Sequence, residues 1–251
     1  MWLLLLINFA GKIAALTVAR VAPATALALP FVPDGVLAYH LFVFRARGLV
    51  HMHRRFRTPE REVWLTIDDG PDARDTPRIL ELLSAHDARA TFFVIGENVT
   101  AHPEIVRAIV AAGHEVAHHT QTHPLKSFWC ASPVRLAAEL DGCLAALAAV
   151  SVRPTRFRPP AGLKNLWLER ALAARQLVCI GWSARGRESW RDDVAAVAER
   201  VTRDLAPGAI LLLHEGPRLP AEIRVRAIGE VLGRLRQQGY RCVVPKAGQL
   251  A

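Results

Sequence analysis

A chain of 251 residues has room for one large α/β domain or two small ones. Its 51% apolar content and mean hydropathy of +0.18 are high for a soluble enzyme and point to an apolar segment within it. The net charge of +9, carried almost entirely by arginine, admits nucleic acid, an anionic membrane surface, or acidic and phosphate-bearing substrates. No zinc-finger spacing, RNA-binding aromatic signature or concentrated basic helix is present, which sets nucleic acid aside.

Residues 1–45 form an apolar but broken segment. Trp2 to Ile7 is a tight apolar run, Lys12 and Arg20 interrupt the stretch after it, and Ala24 to Val32 resumes it. Pro33-Asp34-Gly35 reads as a turn, and Val36 to Phe44 is apolar again. A spanning helix needs about twenty consecutive apolar residues, and a charge at the bilayer centre costs roughly 2.5–3.5 kcal/mol. Three readings remain: an interfacial amphipathic helix, a hairpin of two helices, or a helix buried against the domain. A cleaved signal peptide fits less well, because no basic region precedes the apolar run and no small-residue cleavage site comes after it. Arg45, Arg47, Arg54, Arg55 and Arg57 come next, mostly in a basic linker over 46–61. Such a cluster suits anionic headgroups and favours the cytoplasmic side. The working expectation is a membrane-associated N-terminus with the catalytic domain facing the cytoplasm. A periplasmic domain behind one uncleaved anchor is the alternative.

Over 62–251, strand-like and helix-like stretches alternate. Strands are predicted at 63–67, 90–95, 115–118, 155–158, 177–182, 209–213 and 240–244. Helices are predicted at 76–86, 103–112, 133–150, 164–175, 192–205 and 221–238. About seven β/α units with short links predict a parallel sheet or barrel covered by helices. The four cysteines, Cys130, Cys143, Cys179 and Cys242, have no C-x-x-C spacing and read as buried apolar residues rather than ligands.

Reactive groups in such folds gather just past the strands' carboxyl ends. After the first strand stand Asp68 and Asp69, whose like charges favour a cation on one of them or a raised pKa. After the third come His118, His119 and His123. Arg158 and Pro159-Pro160-Ala161-Gly162 follow the fourth, Arg185, Arg187 and Glu188 the fifth, and His214 and Glu215 the sixth. His119 and His123 are four apart, and on a helical turn both would face one metal. A carboxylate from Asp68 or Asp69 would complete a facial His-His-Asp set with open positions. A divalent metal there lowers the pKa of water toward about 7 and polarises a carbonyl oxygen. His114 and His118 are expected to cap the strand or meet solvent rather than bind metal. Phe128-Trp129-Cys130 either lines the groove or plugs the rim.

These stretches resemble the polysaccharide deacetylase family, also known for its chitooligosaccharide deacetylase homology domain. From about Val63 to Val244, T-I-D-D-G-P, H-E-V-A-H-H-T-Q-T-H-P, F-R-P-P-A-G and L-L-L-H-E-G look like the family's first, second, third and fifth motifs, in order. The resemblance implies a distorted (β/α) barrel with fewer than eight strands. It implies Asp68 as general base, Asp69, His119 and His123 as metal ligands with Zn²⁺ the default, Arg158 as the ion-pair partner of Asp68, and His214 as general acid. The backbone N–H of Ala161 would stabilise the oxyanion, beside Pro160. Two departures stand out. Ala161 replaces the usual aromatic residue, which suggests a different or bulkier substrate. In the fourth motif, G-W-S-A-R-G-R-E-S-W, Arg185 stands where an acid braces the catalytic arginine. Glu188, Asp192 or Asp193 would then replace that brace, or Arg185 would bind an anionic group such as a phosphate. Trp182 and Trp190 join Pro160, Ala161 and Arg185 as candidate substrate contacts. The implied activity is removal of an acetyl or formyl group from an amino sugar in a polysaccharide or lipid-linked glycan. A catalytically impaired carbohydrate-binding member of the fold is the alternative, and a metal phosphoesterase a third reading.

Overall fold

The computed structural model describes residues 2–19, 31–186, 193–216 and 220–251. One sheet holds β1 (Glu62–Gly70), β2 (Ala90–Val94), β3 (Glu115–His118), β4 (Arg156–Phe157), β5 (Val178–Cys179), β6 (Ala184–Arg185), β7 (Ala209–His214) and β8 (Arg241–Cys242). The order is β5-β4-β3-β2-β1-β7-β6, every pairing is parallel, and β8 lies beside the first residues of β1. The parallel α/β sheet expected for a distorted (β/α) barrel is present, with eight strands among the described residues where about seven were predicted. The unforeseen β6 is two residues long, too short to show a period.

Strand alternation sorts the side chains. Val63, Leu65 and Ile67 of β1 and Leu211 and Leu213 of β7 pack outward with Ile79, Leu83, Val201 and Val231 of the covering helices. Trp64, Phe93, Ala117, Ile210 and Leu212 form the inner cluster. The same alternation carries Thr66, Asp68 and His214 to the inner side, at the strands' carboxyl ends. Residues 46–61, expected as a linker, are docked: His53 bridges Ile180, Arg55 bridges Ala209, and Met52 and Phe56 are buried.

Two departures have clear causes. The helix Phe31–Phe42 runs through the predicted Pro33-Asp34-Gly35 turn. In a first helical turn the missing N–H of Pro33 costs no bond, and Asp34 complements the helix dipole. The helix predicted from Lys164 begins only at Leu168. Lys164 and Asn165 are instead buried loop anchors: Lys164 Nζ donates to the carbonyls of Val43 (2.7 Å) and Ala46 (2.6 Å), and Asn165 Nδ2 to those of Phe128 and Ala131 (both 2.9 Å). Cys143, Cys179 and Cys242 are buried as expected, whereas Cys130 is exposed.

Candidate active site

In a regular strand, Asp68 and Asp69 would point to opposite faces. The pairing of β1 with β2 shifts register between Asp68 and Gly70, and Asp69 adopts a φ of 74°. This bulge re-aims the second carboxylate, so that both reach one imidazole. His119 Nε2 stands 3.7 Å from Asp68 Oδ2 and 3.4 Å from Asp69 Oδ1, and His123 Nε2 lies 3.3 Å from Asp69 Oδ1. Asn98 Nδ2 holds the bulge by donating to the Asp69 carbonyl at 2.9 Å.

The donor atoms of Asp69, His119 and His123 all lie within 4.8 Å of one another. Asp69 Oδ1 is buried without a well-aligned hydrogen-bond donor. An anionic oxygen and two imidazole nitrogens converging in this way fit a divalent cation. Burial pushes the Asp69 carboxyl up, but contact with His119 and the charges of His119, His214 and His123 outweigh it and hold the group well below the usual carboxylate range. His119 Nδ1–H donates to the Arg158 carbonyl at 2.7 Å, which orients the ring and turns Nε2 toward Asp69.

The spacing of His119 and His123 suggested a helical turn, yet the segment is a loop with Thr120 at φ 71° and His123 at φ 52°. Left-handed backbone at non-glycine residues costs on the order of 1–3 kcal/mol each and persists where the surroundings enforce it. Glu139, reaching in from the helix Pro133–Ala149, supplies much of that enforcement. Its Oε2 accepts from the amides of Gln121 (3.0 Å) and Thr122 (2.9 Å), and its Oε1 from the Thr122 hydroxyl (2.6 Å). Thr120 Oγ1 accepts the His123 amide at 3.1 Å. His118 belongs to the scaffold: Nε2–H donates to the Leu140 carbonyl at 2.8 Å and Nδ1 accepts the Thr120 amide at 3.0 Å. Burial lowers its pKa to about 4, so it stays neutral. His114 is likewise largely buried, and its Nδ1 accepts the Ala90 amide.

Arg158 is fully buried, and four hydrogen bonds fix its guanidinium. Nη1 donates to Asp68 Oδ1 (2.6 Å) and Thr66 Oγ1 (2.7 Å), Nη2 to the Gly181 carbonyl (2.9 Å), and Nε to the Ile180 carbonyl (3.2 Å). Its Cζ lies 4.1 Å from the Phe93 ring centroid and 5.7 Å from that of Trp182. Among the described residues Asp68 is the one carboxylate on this arginine, and the Ile180 and Gly181 carbonyls accept its other edge. Asp193 is not the expected bracing acid, because it caps the helix Val194–Thr202 through the Ala196 amide. Glu188, Asp192 and Trp190 lie outside the described residues.

His214 is partly exposed, opposite Asp68 in the β1–β7 register. Pro160 is buried, while Ala161 is exposed at φ 51°. Trp182 is only 7% exposed, stacked under Phe44 at 4.1 Å. Arg185 is exposed on β6, 5.8 Å from the Trp182 ring. Phe128 is wholly buried against Phe157, whereas Trp129 is 37% exposed and touches Phe42.

A second buried polar group, whose role was unforeseen from the sequence, backs Asp69. Glu215 Oε2 accepts from the Thr76 hydroxyl, its amide donates to the Asp68 carbonyl (3.0 Å), and its side chain packs against Gly70. Burial, with the carboxylates of Asp75, Asp72 and Asp69 adding to it, pushes Glu215 up to about 8 against the opposing Thr76 bond. Asp75 is buried beside it and pairs with Arg224 and the Gly216 amide.

Comparison with known proteins identifies the family to which these elements belong. The family model for polysaccharide deacetylase matches residues 55–177. A chitooligosaccharide deacetylase of Bradyrhizobium sp. is 36% identical over 196 residues, 72% of this chain and 87% of that protein. A peptidoglycan-N-acetylglucosamine deacetylase of Bacillus cereus is 34% identical over 187 residues, 73% of this chain and 86% of that protein. Among solved structures, a CE4 family pseudoenzyme from Bacillus anthracis superposes with a TM-score of 0.68 at 28% identity, covering 75% of this chain and 65% of that one. The identity and coverage shared with the two deacetylases place this chain in the polysaccharide deacetylase family.

Proposed function

We propose that this chain is a metal-dependent hydrolase that removes an N-acyl group, acetyl or formyl, from an amino sugar in a polysaccharide or lipid-linked glycan. The observation that carries the reading is the division of the two aspartates: Asp69 faces His119 and His123, while Asp68 is gripped by Arg158 at 2.6 Å. Asp69, His119 and His123 would hold the metal, and the His-His-Asp donor set suits Zn²⁺. The cation would supply Lewis acidity and make water a nucleophile near neutral pH.

The chain's own residues do the rest. Asp68, oriented by Arg158, takes a proton from the water that attacks the acyl carbon. The Ala161 amide stabilises the negative charge on the acyl oxygen. His214 gives a proton to the nitrogen as the C–N bond breaks, since an amine leaves poorly without one. Water is consumed, and a free amine and a carboxylate, acetate or formate, are formed. The relatives' names support carbohydrate amides as the substrate class. The apolar N-terminus and the exposed Arg185 favour a membrane-proximal or lipid-linked glycan over a free polymer.

A pseudoenzyme shares the fold, so fold alone does not separate catalysis from carbohydrate binding. The presence of base, ligands, Arg158 and acid together favours turnover, because a binder has no use for His214. The test is acetate or formate release from N-acylated chitooligosaccharides and glycolipids by Zn²⁺-loaded protein. Release that stops with a chelator and returns with Zn²⁺ is expected; no turnover on any of these substrates by the loaded protein would overturn the reading.

A further inference from the structure

We propose that the two N-terminal helices are a docking surface for an anionic lipid bilayer, built onto the rim of the catalytic groove. The helix Trp2–Val18 exposes Leu6, Phe9, Ile13 and Leu16, a 3-4-3 spacing that puts all four on one stripe. The helix Phe31–Phe42 exposes Val32 and Val36 in the same way, with Phe42 at its end. Phe9 is 67% exposed and Leu16 75%. Scattered exposed apolar side chains are ordinary, but a contiguous stripe on each of two packed helices marks an interaction surface.

The two helices meet at Gly11, where an added Cβ would stand 2.6 Å from Pro33 Cγ. Beside that contact, Lys12 pairs with Asp34 at 3.4 Å, so the one lysine of the first helix is matched by an acid. Helices of 17 and 12 residues are about 25 and 18 Å long, short of the roughly 30 Å hydrocarbon core. No helix among the described residues is long and apolar enough to cross a membrane. Elements of this kind lie in the interfacial plane.

Charge selects the occupant. Arg45 and Arg47 are exposed directly after the second helix, and among the described residues neither has a carboxylate partner. Arg54 lies near enough to feel both charges. Unmatched arginines beside an apolar face suit anionic headgroups, whereas a second copy of this chain would present the same charges.

The surface is continuous with the packing around the candidate catalytic residues. Phe44 stacks on Trp182, which packs on Arg158, and a Cβ on Gly162 would stand 2.8 Å from the Phe44 ring. Lys164 clamps the carbonyls of Val43 and Ala46, and Phe42 touches Trp129. The docking face and the loop bearing Ala161 are therefore tied together, and a docked protein would hold its groove at the membrane surface. This deepens the reading of the site as a glycan N-deacylase, and the docking itself can be measured without turnover.

The test is flotation of the full-length protein with phosphatidylcholine vesicles, with and without phosphatidylglycerol. Binding at least about tenfold tighter to the anionic vesicles, weakened by added salt, is expected. Phe9→Glu/Leu16→Glu changes exposed positions and should lose vesicle binding about tenfold or more, while acetate release from soluble chitooligosaccharide matches that of the unaltered protein. Arg45→Glu/Arg47→Glu should remove the preference for anionic lipid. Absence of flotation with either vesicle would overturn the proposal. So would a dimer that Phe9→Glu/Leu16→Glu converts to a monomer without changing flotation. A protein that floats but releases no acetate or formate would refute the enzymatic reading and leave the docking surface standing.

Discussion

Glu139 and Glu215 show how much of the site is held by residues that never face a substrate. Glu139 accepts three hydrogen bonds from the loop between the two histidines. Glu139→Gln keeps the size but turns one acceptor end into a donor. Supporting contacts of this kind typically change metal affinity by about 10–100-fold. A competition titration against a chelating dye should show Zn²⁺ binding weakened by about that factor, with kcat at saturating metal near the unaltered value. Unchanged affinity would mean that the loop holds its shape without Glu139. Glu215 sets a pH dependence. Its folded pKa is raised from 4.5 to about 8, so the folded state binds the extra proton over that window. Its contribution to stability is therefore full below about pH 4.5 and is lost as pH rises through about 8. Glu215→Gln should unfold at a higher denaturant concentration than the unaltered protein at about pH 9, and the difference should shrink at about pH 5. Neither glutamate's role was legible in the sequence. Each acts across a long chain separation, on groups whose proximity only the fold creates.

Strand content was legible where β-branched and aromatic residues run together, as in β1 and β2, and where the run is wholly apolar, as in β7; β1 and β7 also gave Asp68, Asp69 and His214 their places. The bulge at Asp69 was not legible, although it is what lets neighbouring carboxylates serve one site. The two-residue strand β6 left no pattern, and Pro33-Asp34-Gly35 read as a turn because those residues also suit a helix's first turn. Lys164 looked like a helix start and is instead the clamp on the N-terminal segment. Lys164→Met removes the donor from the buried Ala46 carbonyl and the part-buried Val43 carbonyl, at about 1–3 kcal/mol for the buried acceptor left unsatisfied. Amide exchange over residues 41–46 should quicken while that of β1 stays as slow as before. Equal quickening in both would mean that the segment and the sheet open as one unit.

Across the whole molecule, a parallel sheet brings Asp68, His119, Arg158 and His214 from four strand ends to one rim, far apart though they are in the chain. That convergence was legible in the sequence, because the topology follows from alternating strands and helices and the motifs sit just past the strands. The main-chain support of Arg158 was not: the Ile180 and Gly181 carbonyls that accept from it carry no side-chain signal. The most direct test of the division between the two aspartates compares Asp68→Asn with Asp69→Asn for bound zinc and for acyl release. Asp68→Asn is expected to keep its zinc and release neither acetate nor formate, and Asp69→Asn to lose the zinc. Loss of zinc from Asp68→Asn with retention in Asp69→Asn would show the roles reversed, and sustained acyl release by Asp68→Asn would remove it as the base.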